Sequence, residues 1–186
     1  MKSYLVFSDV HGDKLSLQKI NTLAKQYDGV FFAGDGYSAV KSMQVSELYA
    51  VGGNCDIFGS PELVTEIDGV RILLTHGHKY GVKNSLLSLT LRAKELNCQL
   101  AVFGHTHEPF CAYENGVFLI ASGCSDEHPE SSFITNEHGD IIAAAESEGY
   151  AVATVDLDAH KYVRYLSFNN GYGRNLYRTD RRDDLY

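Results

Sequence analysis

The stretch Tyr4-Leu5-Val6-Phe7-Ser8-Asp9-Val10-His11-Gly12 joins an unbroken apolar run to two polar side chains. The apolar run predicts a buried strand, because strands that are covered on both faces are hydrophobic without alternation. Asp9 and His11 follow it, and alternate residues of an extended segment point to the same side. By itself such a pair is more often a cap and a surface histidine. Because open α/β sheets bind ligands at the carboxyl ends of their strands, the pair also predicts half of a metal site.

Four further apolar runs end in the same kind of side chain. Asp35 follows 30–34, Asn54 follows 48–53, His76 and His78 follow 70–75, and His105 and His107 follow 100–104. Together with His11, five of the eight histidines lie in turns of this kind, which a chance scatter would not produce. The recurring pattern therefore predicts strands whose ends carry carboxylate, amide or imidazole ligands.

The length and composition restrict the class of protein. The 186 residues predict one domain over 1–168 and a surface or disordered tail over 169–186, which is rich in Gly, Arg and Asp. No apolar run reaches the roughly 20 residues of a membrane span, and the first strand begins without a leader pattern, so we expect a cytoplasmic protein. The net charge of −8 argues against a general nucleic-acid or membrane binder. The four cysteines have no CxxC spacing and are expected to be free thiols.

Periodicity and turn signals predict the remaining elements. We expect a helix over 14–27 that is capped by Asp13 or Ser16, a short helix between 36 and 46, and a helix over 84–97. Asp68-Gly69 and Asn115-Gly116 predict two hairpins, and strands are expected over 132–135, 150–157 and 162–168. The first half alternates strand and helix and the second half is mostly strand. This mixture predicts an α/β protein of the α+β type, with two packed sheets and helices outside them.

The candidate ligands suit a pair of divalent ions. Asp, Asn and neutral His are ligands for Mn²⁺, Fe²⁺, Co²⁺, Ni²⁺ or Zn²⁺. Seven ligands are too many for one ion that keeps a position open for substrate, but they fit two ions that share a carboxylate. Two carboxylates leave such a pair with residual positive charge, which attracts a hydroxide and a phosphate. The seven are Asp9, His11, Asp35, Asn54, His76, His105 and His107.

The order of the motifs resembles a known family. The chain carries Asp9-x-His11, Gly34-Asp35, Gly53-Asn54-Cys55-Asp56, His76-Gly77-His78 and Gly104-His105-Thr106-His107. It is similar, over about residues 1–125, to the calcineurin-like metallophosphoesterase superfamily, and within it to the small phosphodiesterases of the YfcE-like branch. The resemblance implies a four-layer α/β/β/α sandwich of two mixed β-sheets flanked by helices, with a dinuclear metal site where the strand ends meet.

The resemblance also implies roles for individual residues. One ion would be held by Asp9, His11, Asp35 and His107, and the other by Asp35, Asn54, His76 and His105, so that Asp35 bridges. Mn²⁺ is expected, with Ni²⁺, Fe²⁺, Co²⁺, Zn²⁺ or Mg²⁺ as alternatives. Asn54, Asp56 and His105 are assigned to catalysis, and Cys55 and His78 to substrate binding.

Two positions depart from the family pattern. Relatives often have a histidine, which can protonate the leaving oxygen, where this chain has Cys55; we expect this cysteine to be a buried small hydrophobe. Asp56 is either a turn-forming residue or an orienter of a catalytic group. The usual Asn-Pro-Gly-Ser is replaced by Ala121-Ser122-Gly123-Cys124.

The leading hypothesis is a phosphodiesterase in which a hydroxide that bridges two metal ions attacks a small phosphodiester. One alternative is a non-catalytic protein-binding scaffold, since a retromer subunit resembles this fold without the full metal set. Another is a phosphomonoesterase or protein phosphatase, against which Cys55 argues because an alkoxide leaving group needs an acid. We expect a small phosphodiester as the partner, neither nucleic acid nor membrane, and leave open a homo-oligomer.

Overall fold

The computed structural model describes residues 2–107, 110–114, 116–122, 133–135, 141–144, 167–168 and 171–172, with side chains for 2–107 and 116–122. Its first sheet contains the parallel strands β1 (Tyr4–Phe7), β2 (Gly29–Phe32) and β3 (Leu48–Ala50), in that order. The helices α1 (Lys14–Ala24) and α2 (Tyr37–Val40) connect successive strands. The three strands therefore end at one edge of the sheet.

Helix α1 begins where the sequence predicts and ends earlier. The side chain of Asp13 caps it by accepting the backbone N–H groups of Leu15 and Ser16, at 3.0 and 3.2 Å. The predicted helix extends to Tyr27, but the N–H groups of Gln26 and Tyr27 bond carbonyls only three residues back. This tighter turn ends the α-helix at Ala24 and leads the chain into β2.

The second sheet is mixed and has five strands in the order β4-β5-β6-β8-β7. They are β4 (Glu62–Ile67), β5 (Val70–Thr75), β6 (Leu100–Phe103), β7 (Phe110–Glu114) and β8 (Val117–Ala121). Strands β5, β6 and β8 are parallel to one another. The edge strands β4 and β7 run antiparallel to β5 and β8, respectively, and form the two predicted hairpins with them. Asp68 and Gly69 both have positive φ, 49° and 82°, as a two-residue hairpin turn requires.

A 3₁₀ turn (His78–Tyr80) and helix α3 (Leu87–Glu95) lie between β5 and β6. The sequence predicts this helix over 84–97, and it is shorter at both ends. The N–H groups of Asn84 and Ser85 bond the Gly81 carbonyl instead of starting the helix, at 2.9 and 3.2 Å. None of the described helices is long and apolar enough to cross a membrane.

Two short strand pairs follow in the later part of the chain. Strand β9 (Phe133–Thr135) pairs with β10 (Ile141–Ala144), and β11 (Ser167–Phe168) pairs with β12 (Gly171–Tyr172). Sequence analysis missed β10. Strand β12 lies within the predicted tail, whereas the predicted strand over 150–157 and most of the tail fall outside the described residues. The domain boundary at 168 stays a prediction.

The alternation of side chains along the strands builds the layers. Along β2, Val30 and Phe32 pack on the side of α1 and α2, whereas Phe31 packs between the two sheets. Along β5, Leu74 faces that same intersheet core, and Leu73 packs towards α3. The order is helix, sheet, sheet, helix, so the predicted α/β/β/α sandwich is confirmed. The parallel strands of both sheets bring their carboxyl ends together at one edge.

Candidate metal centre

The turns at the strand ends hold five of the predicted ligands in a left-handed backbone conformation. The φ values are 55° for Asp9, 43° for His11, 62° for Asp35, 68° for His105 and 61° for His107. Such conformations cost on the order of 1–3 kcal/mol each outside glycine, and they cluster at functional sites where the surrounding structure enforces them. The strain of this part of the chain is therefore concentrated in the residues that carry the candidate chemistry.

Asp9 is buried at the floor of the centre, and only one of its two carboxylate oxygens has a hydrogen-bond partner among the described residues. Its Oδ2 contacts the hydroxyl of Ser8 and accepts the backbone N–H of His105 at 3.1 Å. Its Oδ1 is buried, and no residue that the structure describes hydrogen-bonds to it. An unpaired buried carboxylate oxygen is costly, and a cation at this point would remove the cost.

His76 presents a lone pair to a group of oxygens. Its ring is fully buried, and Nδ1 lies 2.7 Å from the Ala33 carbonyl oxygen, so the proton of a neutral ring belongs on Nδ1. Nε2 then lies 3.0 Å from Asn54 Oδ1, 3.3 Å from Asp35 Oδ2 and 3.9 Å from Asp9 Oδ1. With a neutral His76 and a charged Asp35, these atoms are acceptors that have no proton between them. Their convergence fits a bound metal ion.

His11 and His107 form the open side of the centre. His107 Nε2 lies 3.4 Å from Asp9 Oδ1, His11 Nε2 lies 4.0 Å from Asp35 Oδ2, and both rings are about half exposed. In two of the residue groups that could hold a metal, Asp9–His11–His107 and Asp9–Asp35–His76, the ligand atoms of each group lie within 4.8 Å of one another. The described donors therefore fit divalent metal, with Asp9, Asp35 and His76 buried and His11 and His107 exposed. The number of ions stays a prediction.

Asp35 lies between one histidine of each predicted ligand set, as a bridging carboxylate requires. Burial opposes its ionisation, but the backbone N–H of Cys55, which donates to Asp35 Oδ1 at 2.8 Å, lowers the pKa of Asp35. The carboxylate is therefore charged near neutral pH. Asp9 is the carboxylate that the two sets above share, so the bridging role of Asp35 stays a prediction.

His105 and His78 complete a group of imidazoles around His76. The His105 ring centroid lies 4.9 Å from that of His76 and 6.1 Å from that of His78. Burial, followed by the charge of Lys83, lowers the pKa of His105, and burial also lowers the pKa of His78. Neutral imidazole is the form that binds metal. His78 Nδ1 is buried, and none of the described residues hydrogen-bonds to it.

Asp56 lies against the turn at Asp35 and accepts backbone N–H groups there. Its oxygens accept the backbone N–H groups of Asp35, Gly36, Tyr37 and Gly53, at distances between 2.9 and 3.2 Å. A carboxylate with four backbone donors is fully used in holding the turn at Asp35. These contacts fit the turn-forming role of Asp56, and its assignment to catalysis stays a prediction.

Cys55 is exposed, and the prediction that it is a buried hydrophobe is wrong. The chain turns outwards here in a loop whose base is closed by the Gly52 N–H on the Ser60 carbonyl, at 2.8 Å. The Asn54 amide lies 3.3 Å from the Cys55 sulfur. Although Cys55 is exposed, neighbouring atoms displace part of the water around its sulfur. This partial desolvation and a hydrogen bond to Asp35 raise the pKa of Cys55, so the thiol stays protonated near neutral pH. Cys98 is a free buried thiol, and the side chains of the other two cysteines are outside the described residues.

Two glycines of the motifs allow the carboxylates to approach the backbone. A Cβ atom at Gly53 would lie 2.0 Å from Asp35 Oδ1, and one at Gly104 would lie 2.6 Å from Ser8 Oγ. Ser8 is a functional residue that sequence analysis missed, since its hydroxyl orients Asp9. Its signal was a single polar residue inserted between an apolar run and a ligand.

Fold and site together define a metal-dependent phosphoesterase class, and the comparison with known families agrees. The sequence model of the calcineurin-like phosphoesterase superfamily domain matches residues 1–154, and the chain belongs to this superfamily. The family that the motifs predict is thus confirmed. Its members hydrolyse phosphoric esters with divalent metals, for which this chain has candidate ligands.

Individual relatives are similar over most of their length. The probable metallophosphoesterase YsnB of Bacillus subtilis is 30% identical over 161 residues, which is 83% of this chain and 85% of YsnB. A probable metallophosphoesterase of Mycoplasma pneumoniae is 30% identical over 129 residues, 66% of this chain and 79% of its own. The crystal structure of a predicted phosphoesterase from Streptococcus pneumoniae has a TM-score of 0.57 at 27% identity, covering 66% and 72% of the two chains.

More distant structures share the fold alone. They include an archaeal phosphodiesterase, with a TM-score of 0.53 at 21% identity over 66% of this chain and 84% of its own. Vacuolar protein sorting 29 of Cryptosporidium parvum has a TM-score of 0.57 at 20% identity, over 66% of this chain and 74% of its own. Because an enzyme and a sorting protein both have this fold, the residues of the site have to distinguish them.

Proposed function

We propose that the protein is a dinuclear-metal-dependent phosphodiesterase that acts on small phosphodiesters. The observation that supports this most strongly is the group of acceptors around His76 Nε2, which faces oxygens of Asn54, Asp35 and Asp9 within 3.9 Å. A scaffold without catalytic function has no need for a buried carboxylate oxygen, Asp9 Oδ1, that none of the described residues hydrogen-bonds. The proposal includes a cytoplasmic location. It also includes the absence of a nucleic-acid partner, because a net charge of −8 repels a polyanion.

We assign a separate role to each residue of the centre. Asp9, His11, Asp35 and His107 would hold one divalent ion and Asp35, Asn54, His76 and His105 the other, with Mn²⁺ as the expected metal. Bound there, such ions supply positive charge to the phosphate oxygens and make a shared water molecule more acidic. Ser8 keeps Asp9 oriented, and Asp56 keeps Asp35 in its turn. His78 Nδ1 is a buried group that is available to bond a phosphate oxygen.

The experiment that tests the proposal is a matrix of metals and substrates on the purified chain. Mn²⁺, Ni²⁺, Co²⁺, Zn²⁺ and Mg²⁺ would each be tested against bis(4-nitrophenyl) phosphate, 4-nitrophenyl phosphate and cyclic nucleotides. We expect hydrolysis of the activated diester that needs an added ion and disappears with a chelator. Full activity after chelation, or no activity with any ion, would favour the scaffold hypothesis.

The residue beside the leaving group determines which esters are cleaved. An aryloxide leaves without help, but an alkoxide has to be protonated as it departs. Cys55 is a poor acid because thiols are weak hydrogen-bond donors and the pKa of this one is raised. The protein should therefore prefer activated diesters to monoesters and alkyl esters, which disfavours the phosphomonoesterase alternative.

Replacement of Cys55 by histidine should widen the range of esters. General acid catalysis contributes typically 10²–10⁴-fold, so we expect a gain of at least about 10-fold on esters with poor leaving groups and little change on the activated diester. The measurement is kcat/KM across esters of rising leaving-group pKa, with metal content determined in parallel. Cys55→Ser is the control, because it keeps the size without supplying an acid. A uniform loss on all esters at intact metal content would contradict the role.

A further inference from the structure

A second kind of ligand set lies at the exposed side of the metal centre. The ligand atoms of His11, Asp35 and Cys55 lie within 4.8 Å of one another, so an imidazole, a carboxylate and a thiol converge. The backbone fixes this arrangement, since the Cys55 N–H donates to Asp35 Oδ1 at 2.8 Å. His11 and Cys55 are both exposed, so an ion from solution can reach them.

Next to this set lies a buried group that lacks a partner. Asp9 Oδ1 has no hydrogen bond among the described residues, and its side chain is completely buried. His11 belongs both to the set with Asp9 and His107 and to the set with Asp35 and Cys55. The thiol is therefore part of a centre that needs positive charge, and is not an isolated surface cysteine.

The three donors differ in their preference for metals. Thiolates select soft and borderline ions such as Zn²⁺, whereas Mn²⁺ and Mg²⁺ prefer oxygen ligands. We propose that Cys55 is an additional ligand of this centre for thiophilic ions, which are held through its sulfur together with His11 and Asp35. Mn²⁺ is held by the oxygen and nitrogen donors alone. When the metal–sulfur bond forms, the S–H bond breaks and its proton passes to water.

The proposal gives the chain a way to distinguish metals that its other ligands lack. An ion that is bound through sulfur should be held more tightly than Mn²⁺ and should leave more slowly. This inference concerns metal binding and goes beyond the proposed reaction, so the two can fail separately.

Cobalt is a suitable probe, because a Co²⁺–thiolate bond gives a sulfur-to-metal charge-transfer band in the near ultraviolet. The full chain loaded with Co²⁺ should show this band, Cys55→Ser should lack it, and Cys98→Ala should keep it. Cys98 is the matched control because it is a thiol buried against α3, away from the ligands. A band that persists in Cys55→Ser, or that is missing from the Co²⁺-loaded wild-type chain, would overturn the proposal.

Affinity gives a second readout that does not depend on activity. Cys55→Ser should bind Cd²⁺ at least about 10-fold more weakly than the wild-type chain and bind Mn²⁺ with a Kd within about 2-fold of it, since loss of a single metal-supporting group costs roughly 10–100-fold. Equal Cd²⁺ affinities would contradict a sulfur ligand. Normal Mn²⁺ binding without a cobalt–sulfur band would reject this inference and leave the proposed phosphodiesterase intact, whereas binding of neither ion would reject both.

Discussion

Replacement of Asp35 by asparagine is expected to lower the Mn²⁺-dependent diesterase kcat/KM by on the order of 10³-fold, more than the loss of any terminal ligand. Asp35 Oδ2 lies 3.3 Å from His76 Nε2 and 4.0 Å from His11 Nε2, so its charge acts on both predicted ion positions. Perturbing one metal position through an outer-shell group alone costs roughly 10–100-fold, and here two positions are affected at once. Asparagine keeps the size of the side chain and removes only the charge.

Metal content and rate have to be measured together for this variant. Asp68→Asn is the matched control, because Asp68 is an exposed aspartate that also has positive φ, at 49°, and lies in the β4–β5 hairpin turn. The control should keep both ions and its full rate. If Asp35→Asn also retained two ions and a near-normal rate, the bridging assignment would be wrong.

Asn54→Ala and His107→Ala should each lower the rate by on the order of 10²-fold. Changes in groups that only support a metal ligand cost roughly 10–100-fold, so the loss of a ligand itself should cost at least as much. Asn54 Oδ1 lies beside His76 Nε2 at 3.0 Å, and His107 Nε2 lies 3.4 Å from Asp9 Oδ1. The two residues belong to different predicted ion positions. Each variant should therefore lose one ion and keep the other, which titration of metal content against rate can measure.

The stability of these two variants separates a lost ligand from a damaged fold. Asn54 and His107 are both exposed, and surface substitutions usually change the free energy of unfolding by less than about 0.5 kcal/mol. We expect thermal unfolding of the metal-free variants to match that of the metal-free wild-type chain. A large drop in Tm would mean that the lost rate reports unfolding, and two retained ions in either variant would contradict its assignment as a ligand.

The strand ends and the hairpins were predictable because their signals are local. The run before Asp9 and the Asp68-Gly69 turn each contain, within a few residues, the features that determine their structure. The unbroken apolar run at Val30, Phe31 and Phe32 likewise predicts a strand that is covered on both faces. The layer order follows from such local patterns once a second sheet is assumed.

The contacts that orient the ligands were not predictable, because they join distant parts of the chain. The Ala33 carbonyl sets the proton position on His76, 43 residues away. Asp56 accepts N–H groups from the turn of Asp35, 21 residues earlier, so its role depends on how two strand ends approach each other. The exposure of Cys55 depends in the same way on a loop that closes at Ser60. Strand β10 was missed because three of the five residues from Ile141 to Ala145 are alanines, which are depleted in strands.

The use of Asp56 as a backbone acceptor also affects how quickly metal can enter. Because four N–H groups fix the turn around Asp35, its shape is set when the chain folds and does not wait for an ion. A preorganised site has little conformational entropy left to lose on binding. The rate of uptake should then be limited by the ion's release of its own hydration water, so ions that exchange water rapidly should enter faster than Mg²⁺, which dehydrates reluctantly.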